Sequence, residues 1–218
     1  MTDAMTDAVG SAATADFAAL PPTTLADLLG RAQVMDHAIR PLYAPMPRLA
    51  GPAFTVSCPP GDNLMLHAAI HRAPAGSVVV VDAGGDTDFA LAGGNVCAVA
   101  QRRGIAGFVL DGVIRDLAEI RAMGFPVLAR GVVPIPGTKR AVRPFGAPVT
   151  CGGVTVHPGD LVVADEEGIV VTPHARTTEI LTAARAKLAK EATESLDSWE
   201  AAHRTRIDTL LAEGGFTD

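Results

Sequence analysis

SVVVVDAGGDTDFALAGGNVCAVAQRRGIAGFVLDGVIRD, residues 77–116, decides the fold class. It opens on a continuous β-branched run, SVVVVDAGG (77–85), of the kind that forms a strand buried on both faces. DAGGDTD (82–88) then reads as a solvated turn rich in carboxylates, and a short strand is expected near Phe89–Leu91. Gly93-Gly94 leads into a helix through Val96–Arg103. Gly107–Leu110 is a second buried strand, DGVIRD (111–116) a loop, and Leu117 and Ile120 mark the next helix. Strand, helix, strand, helix in so few residues is the rhythm of a parallel sheet with helical crossovers.

Outward from that stretch the pattern continues and then changes. FPVLAR (125–130) is one more strand. Upstream, Leu49–Ser57 is a strand ended by Pro59-Pro60-Gly61, and Asp62 or Asn63 can cap a helix carrying Leu64, Met65, Ala68 and Ile70. Pro21-Pro22 opens a short helix, with Thr23 or Thr24 as cap and Leu25, Leu28 and Leu29 facing inward. Residues 1–20 are small and polar and read as a flexible segment, and 21–218 as a single domain. From 131 to 172 the chain is rich in Gly, Pro and Val, with strands at APVTC (147–151), GVTV (153–156), LVVAD (161–165) and GIVVT (168–172). Thr172-Pro173 then starts a long C-terminal helix, with Thr as cap and Pro at the first helical position. Its apolar residues run through Ile180, Leu188, Leu196, Trp199, Ile207 and Leu210, so it breaks or reaches onto a neighbouring subunit. Strands that alternate with helices early and cluster late imply a layered α/β fold.

Composition narrows the function. The 218 residues are 48% hydrophobic and 19% charged, a globular balance with room for a core. Aromatic residues make up 4% and the formal charge is −6, which argues against a nucleic-acid binder. The cations are 15 Arg and only Lys139, Lys187 and Lys190, and Arg grips carboxylates through two parallel hydrogen bonds. Cys58, Cys97 and Cys151 form no CxxC and read as buried inert thiols, pointing to a reducing, cytoplasmic setting. The first residues lack the positive charge and apolar run of a signal peptide, and the doubled MTDA (1–8) leaves Met5 as an alternative start. No run is long enough to span a membrane.

Three constellations are candidates for chemistry. His67 and His71, four apart, have a spacing that suits one metal, yet no Glu or third ligand accompanies them. At Gly93-Gly94, a strand-to-helix junction aims the N–H groups of Asn95 and Val96 at an anion, or is simply a tight turn. Arg115-Asp116 follows the next strand, where open α/β sheets gather ligands. Arg suits a substrate carboxylate and Asp a hard divalent cation, while a surface ion pair or helix cap is the plainer reading.

Gly94, twenty residues, then Arg115-Asp116 resembles the G-x20-R-D pattern of the RraA-like family. That family includes the metal-dependent 4-hydroxy-4-methyl-2-oxoglutarate/4-carboxy-4-hydroxy-2-oxoadipate aldolases. The resemblance extends from about Thr24 to Glu191, through RPLY (40–43), GPAFTV (51–56), PGDNLMLH (60–67), PGTK (136–139), HPGDLVVADEEGIVV (157–171) and KE (190–191). It implies a β/β/α layered domain of the swivelling type, a homotrimer or homohexamer, and sites between subunits. By the same resemblance Asp116 is the metal ligand for Mg²⁺ or Mn²⁺. Arg115 and the amides of Asn95 and Val96, in the Gly94 turn, hold a 2-keto acid and its enolate. Asn63 and Lys139 contact substrate, and Asp27 and Glu191 are acidic positions near the site. Many aldolases carry Asp or Glu where this chain has Gly94, which touches the proton route. The RNase E regulators of the family lack the Asp after Arg.

The implied reaction is retro-aldol cleavage of a 4-hydroxy-2-oxo acid to pyruvate, with a metal-linked water as base. Oxaloacetate decarboxylation at the same site and a non-catalytic ribonuclease-regulating role are the alternatives. A Schiff-base aldolase has only Lys139 as amine, in a loop with nothing evident to desolvate it.

Overall fold

The computed structural model describes residues 14–216. Its centre is a seven-stranded sheet in the order β1-β5-β4-β3-β2-β8-β9, formed by Arg40–Pro41 (β1), Leu49–Ser57 (β2), Val78–Ala92 (β3), Gly107–Ile114 (β4), Val127–Val132 (β5), Leu161–Asp165 (β8) and Gly168–Thr172 (β9). β2 to β5 run parallel, and β1, β8 and β9 add antiparallel margins. A separate hairpin pairs Val149–Cys151 (β6) with Val154–Val156 (β7).

The valine run shows why the layers form. Successive strand residues point to opposite faces. Val79 and Val81 therefore enter one core with Phe108, Leu110, Val127 and Ala129, while Val78 and Val80 enter another with Val109 and Leu128. The first core is roofed by helices α3 (Leu64–Ala69), α4 (Gly94–Arg102) and α5 (Leu117–Met123), through Leu66, Cys97 and Ile120. The second is roofed by the hairpin, through Val149, Cys151, Val154 and Val156. Hairpin, sheet and helices thus stack as β/β/α. At the β8–β9 margin a third core joins Leu161, Val163 and Val170 to α2 (Pro22–Leu29) and α6 (Thr177–Thr193).

Several expectations are corrected. DAGGDTD is not a solvated turn: β3 continues through it for 15 residues, with register shifts between Asp82, Asp86, Ala90 and Ala92. The aspartates make this feasible by satisfying backbone donors themselves. Asp82 accepts from Gly84 N–H at 2.9 Å, and Asp86 from Asp88 N–H at 2.9 Å and Gly61 N–H at 2.6 Å. DGVI is likewise strand, because Gly112 leaves room where a Cβ would lie 2.7 Å from Leu91 Cδ1.

The segment before residue 21 is ordered where described. A helix, α1, covers 14–18, and Phe17 and Leu20 are buried in the third core. The flexible reading of 1–13 and the question of Met1 or Met5 lie outside the described residues. Helix α2 is capped by Pro21 rather than by Thr23 or Thr24, and Thr24 is buried. Thr172 ends β9 and is fully buried, so the C-terminal helix starts only after a 3-10 turn at His174–Arg176. The helix then breaks. Ser195 caps a second segment, α7 (Leu196–Glu213), by accepting from Ser198 N–H at 3.2 Å.

Candidate active site

The parallel strands β3 and β4 end side by side, and the chain turns there into α4 and α5. Arg115 N–H donates to Ala92 O at 2.9 Å, which ties the two turns together. The cleft at this edge is lined by Asn63, His67, Gly93, Asn95, Val96, Arg115, Asp116 and Lys139, among others, and encloses about 70 Å³. That suits a small acid better than a nucleotide.

Asp116 is the conformational outlier. Its φ of 59° and ψ of 38° make it the one non-glycine residue with positive φ among those described. Left-handed backbone at Asp costs free energy, and such outliers cluster at functional positions. The conformation sets its carboxylate across from α4, where Oδ2 accepts from Gly94 N–H at 3.0 Å and lies 3.5 Å from Arg115 Nε. Both side chains remain about two-fifths exposed, at 38% and 41%, so the pair is presented to the cleft rather than consumed as a structural bridge. Gly93 is required by this approach, since its Cβ would lie 2.4 Å from Asp116 Oδ2.

By helix geometry the first N–H groups of α4 lack intrahelical acceptors. That of Gly94 goes to Asp116, leaving Asn95 and Val96 at the dipole's positive end for an anion. Cys97, one turn below, has its thiol pushed up to about 12 by burial and then by the Asp116 charge, so it is no nucleophile. Burial likewise pushes Cys58 up to about 11 and Cys151 well above the usual thiol range. All three cysteines are buried and free, as inert thiols should be.

Asn63 stands at the head of α3, only 2% exposed. Its Nδ2 donates to Ala90 O at 3.1 Å, but its Oδ1 is buried without a partner. A buried acceptor left unpaired beside a cleft points to a donor on the ligand. Asp62, the neighbouring residue, pins the loop that carries Lys139. It accepts from Leu64 N–H at 3.0 Å, Thr138 Oγ1 at 2.8 Å and Arg140 N–H at 2.6 Å. The structure parts the two histidines: His67 lines the cleft, whereas His71 lies beyond α3 and is exposed.

Asp27 and Glu191 are brought to each other, not to this cleft. Lys187 Nζ lies 3.1 Å from Asp27 Oδ2 and 2.7 Å from Glu191 Oε1, on α2 and α6. The residue that sequence reading missed is Glu119. On α5, one turn after Asp116, it sits so that a Cβ on Gly94 would fall 1.9 Å from its Oε2. The space that a side chain at position 94 would fill is therefore occupied by a carboxylate from α5. The signal was present as the i, i+3 spacing of Asp116 and Glu119.

No group of three or more His, Cys, Asp or Glu that would hold a metal by itself occurs among the described residues. The oxygen donors of Asp116, with Glu119 close by, fit a hard cation that keeps waters and shares a chelating substrate, the usual manner of Mg²⁺. They would not make a zinc site.

The family model for RraA-like proteins (Aldolase/RraA) matches residues 3–171. The chain belongs to the RraA-like family. It is 36% identical over 196 residues, 90% of this chain and 89% of the relative, to a Halalkalibacterium halodurans protein named "Putative 4-hydroxy-4-methyl-2-oxoglutarate aldolase". Among solved structures, an uncharacterized protein from Pseudomonas syringae superposes with a TM-score of 0.77 at 27% identity, covering 88% of this chain and 94% of that one. The RNA-processing inhibitor RraA from Thermus thermophilis gives a TM-score of 0.64 at 31% identity, over 70% of this chain and 92% of that one. These RraA-like neighbours share the layered fold. No helix among the described residues is long and apolar enough to cross a membrane.

Proposed function

We propose that this RraA-like protein is a divalent-metal-dependent lyase that cleaves 4-hydroxy-2-oxo acids to pyruvate and a second keto acid. The observation that carries the reading is Asp116, held in a left-handed conformation with its carboxylate beside Arg115 at the head of α4. A protein needing only a stable fold has no use for that arrangement.

Mg²⁺ or Mn²⁺, held by Asp116, would supply Lewis-acid polarisation of the 2-keto group. The chain's own residues do the rest. Arg115, with its guanidinium at the cleft, grips the C1 carboxylate and faces the oxygen on which enolate charge develops. The amides of Asn95 and Val96 add two donors to that anion. Asn63 and Lys139 orient the substrate, Lys139 by drawing the distal carboxylate. Glu119 takes the place of the acidic side chain that Gly94 lacks and orders water near Asp116. Asp27 and Glu191 act from a second copy, in a homotrimer or homohexamer whose sites lie between subunits.

The same enolate arises from oxaloacetate by loss of CO₂, which needs no hydroxyl proton to be removed, so that activity is the second reading. The likeness to an RNA-processing inhibitor supports a non-catalytic regulator instead, for which Asp116 would be idle. Pyruvate release from both hydroxy acids and from oxaloacetate, with Mg²⁺ and with EDTA, separates the three. Metal-dependent cleavage of the hydroxy acids is expected. Release from oxaloacetate alone would favour the decarboxylase, and silence on all substrates would overturn the enzyme reading.

A further inference from the structure

His67 is the one ionisable side chain lining the cleft that the scheme above leaves without work. It lies one turn after Asn63 on α3, its backbone N–H donating to Asn63 O at 3.1 Å, so both side chains share a face. Its ring is half-buried in the cleft wall, which Leu91 also lines. In the neutral imidazole one ring nitrogen carries N–H and the other a lone pair that can accept a proton. The charged groups that act on the ring are Lys139, Arg115 and Asp62.

We propose that His67 is the proton carrier of the lyase reaction, taking the proton of the substrate's C4 hydroxyl and returning it to C3. The proposal rests on the lyase reading. As the hydroxyl proton passes to the free imidazole nitrogen, the C3–C4 bond breaks and C4 becomes a carbonyl. The bonding pair moves onto C3 and the C2 oxygen as the enolate. The imidazolium then gives that proton to C3, which becomes the methyl of pyruvate, and the ring is neutral again. No proton is gained or lost over the cycle.

The surroundings suit both halves. Burial first, then the positive charges of Lys139 and Arg115, lower the ring's pKa below its ordinary value, against the Leu91 backbone and Asp62, which raise it. The imidazole is thus neutral and ready at neutral pH. Once protonated it is a stronger acid than a free histidine, as donation to carbon requires. A metal-linked water is the competing base. The two differ because the side chain can be removed.

His67→Gln and His67→Asn, checked for fold by circular dichroism, are assayed for retro-aldol cleavage and for oxaloacetate decarboxylation. The ratio of the first activity to the second should fall by about a hundredfold, the usual worth of a general base, because decarboxylation needs no base for a hydroxyl. In parallel, the ring of His67 is titrated by NMR in the metal-free protein, where it should titrate below 6.5. An unchanged ratio, or a ring still charged above pH 7, would overturn the proposal while leaving the lyase intact. If the unaltered protein cleaves no hydroxy acid, the lyase reading falls and the proposal with it.

Discussion

In the proposed reaction Asp116 is a point ligand and Arg115 a planar clamp, so each should fail in its own way. Asp116→Ala should abolish metal-dependent turnover while the protein stays folded, since the residue is exposed enough to carry little packing. Arg115→Lys keeps the charge but loses the parallel N–H pair, so kcat/KM should drop by about a hundredfold. Unchanged kinetics in either would remove that residue's role. Gly93→Ala is subtler. Its backbone, at φ −145°, tolerates any residue, so the penalty is purely steric, a Cβ 2.4 Å from Asp116 Oδ2. The expected result is weaker Mg²⁺ binding by calorimetry with little change in melting temperature. This pair was legible in the sequence because its two residues are adjacent and follow a buried strand. Glu119 was not, because only the crossing of α4 and α5 sets it over Gly94.

The elements that meet at the cleft are held by carboxylates doing backbone work. Asp62 joins the head of α3 to the loop bearing Lys139 while only 5% exposed. Burial alone would raise its pKa, but the N–H groups of Leu64 and Arg140 and the Thr138 hydroxyl outweigh burial and hold it below the ordinary value. A depressed folded-state pKa means the stabilisation is complete above the unfolded value, near 4, and is lost as pH falls through the lower folded one. Asp62→Ala should therefore cost about 2 kcal/mol at neutral pH by denaturant unfolding. The gap to wild type should close only below about pH 4, and KM should rise more than kcat falls as Lys139 loses its position. A gap independent of pH would show that the charge is not what matters. The sequence marked Asp62 and Asn63 as helix-cap candidates but not the loop they grip, since 76 residues separate Asp62 from Thr138. The aspartates of DAGGDTD misled for a related reason. Composition says turn, while their hydrogen bonds to backbone keep an irregular strand in place.

At the scale of the whole molecule, one part of the chain is left without a core. Every residue of α7 is exposed. Leu196, Trp199, Ile207, Leu210 and Leu211 are nevertheless among them, with Trp199 stacked on His203 at 4.5 Å. An isolated 18-residue helix is marginal in water, and its stability must come from packing an apolar face. Nothing among the described residues buries that face, and the candidate site lacks the Asp27 and Glu191 carboxylates that α2 and α6 hold elsewhere. In the proposed assembly both facts would have one cause: a neighbouring copy would receive α7 and present its own Asp27–Lys187–Glu191 cluster to the cleft. The full chain should run as a trimer or hexamer in light scattering. A chain ending at Glu194, or carrying Trp199→Glu with Leu210→Glu, should shift towards smaller species and lose activity on dilution. Mixing inactive Asp116→Ala with inactive Glu191→Ala protein should then restore part of the turnover, since mixed interfaces would contain one intact site. Failure of the mixture, in an assembly shown to exchange subunits, would place each site wholly within one chain.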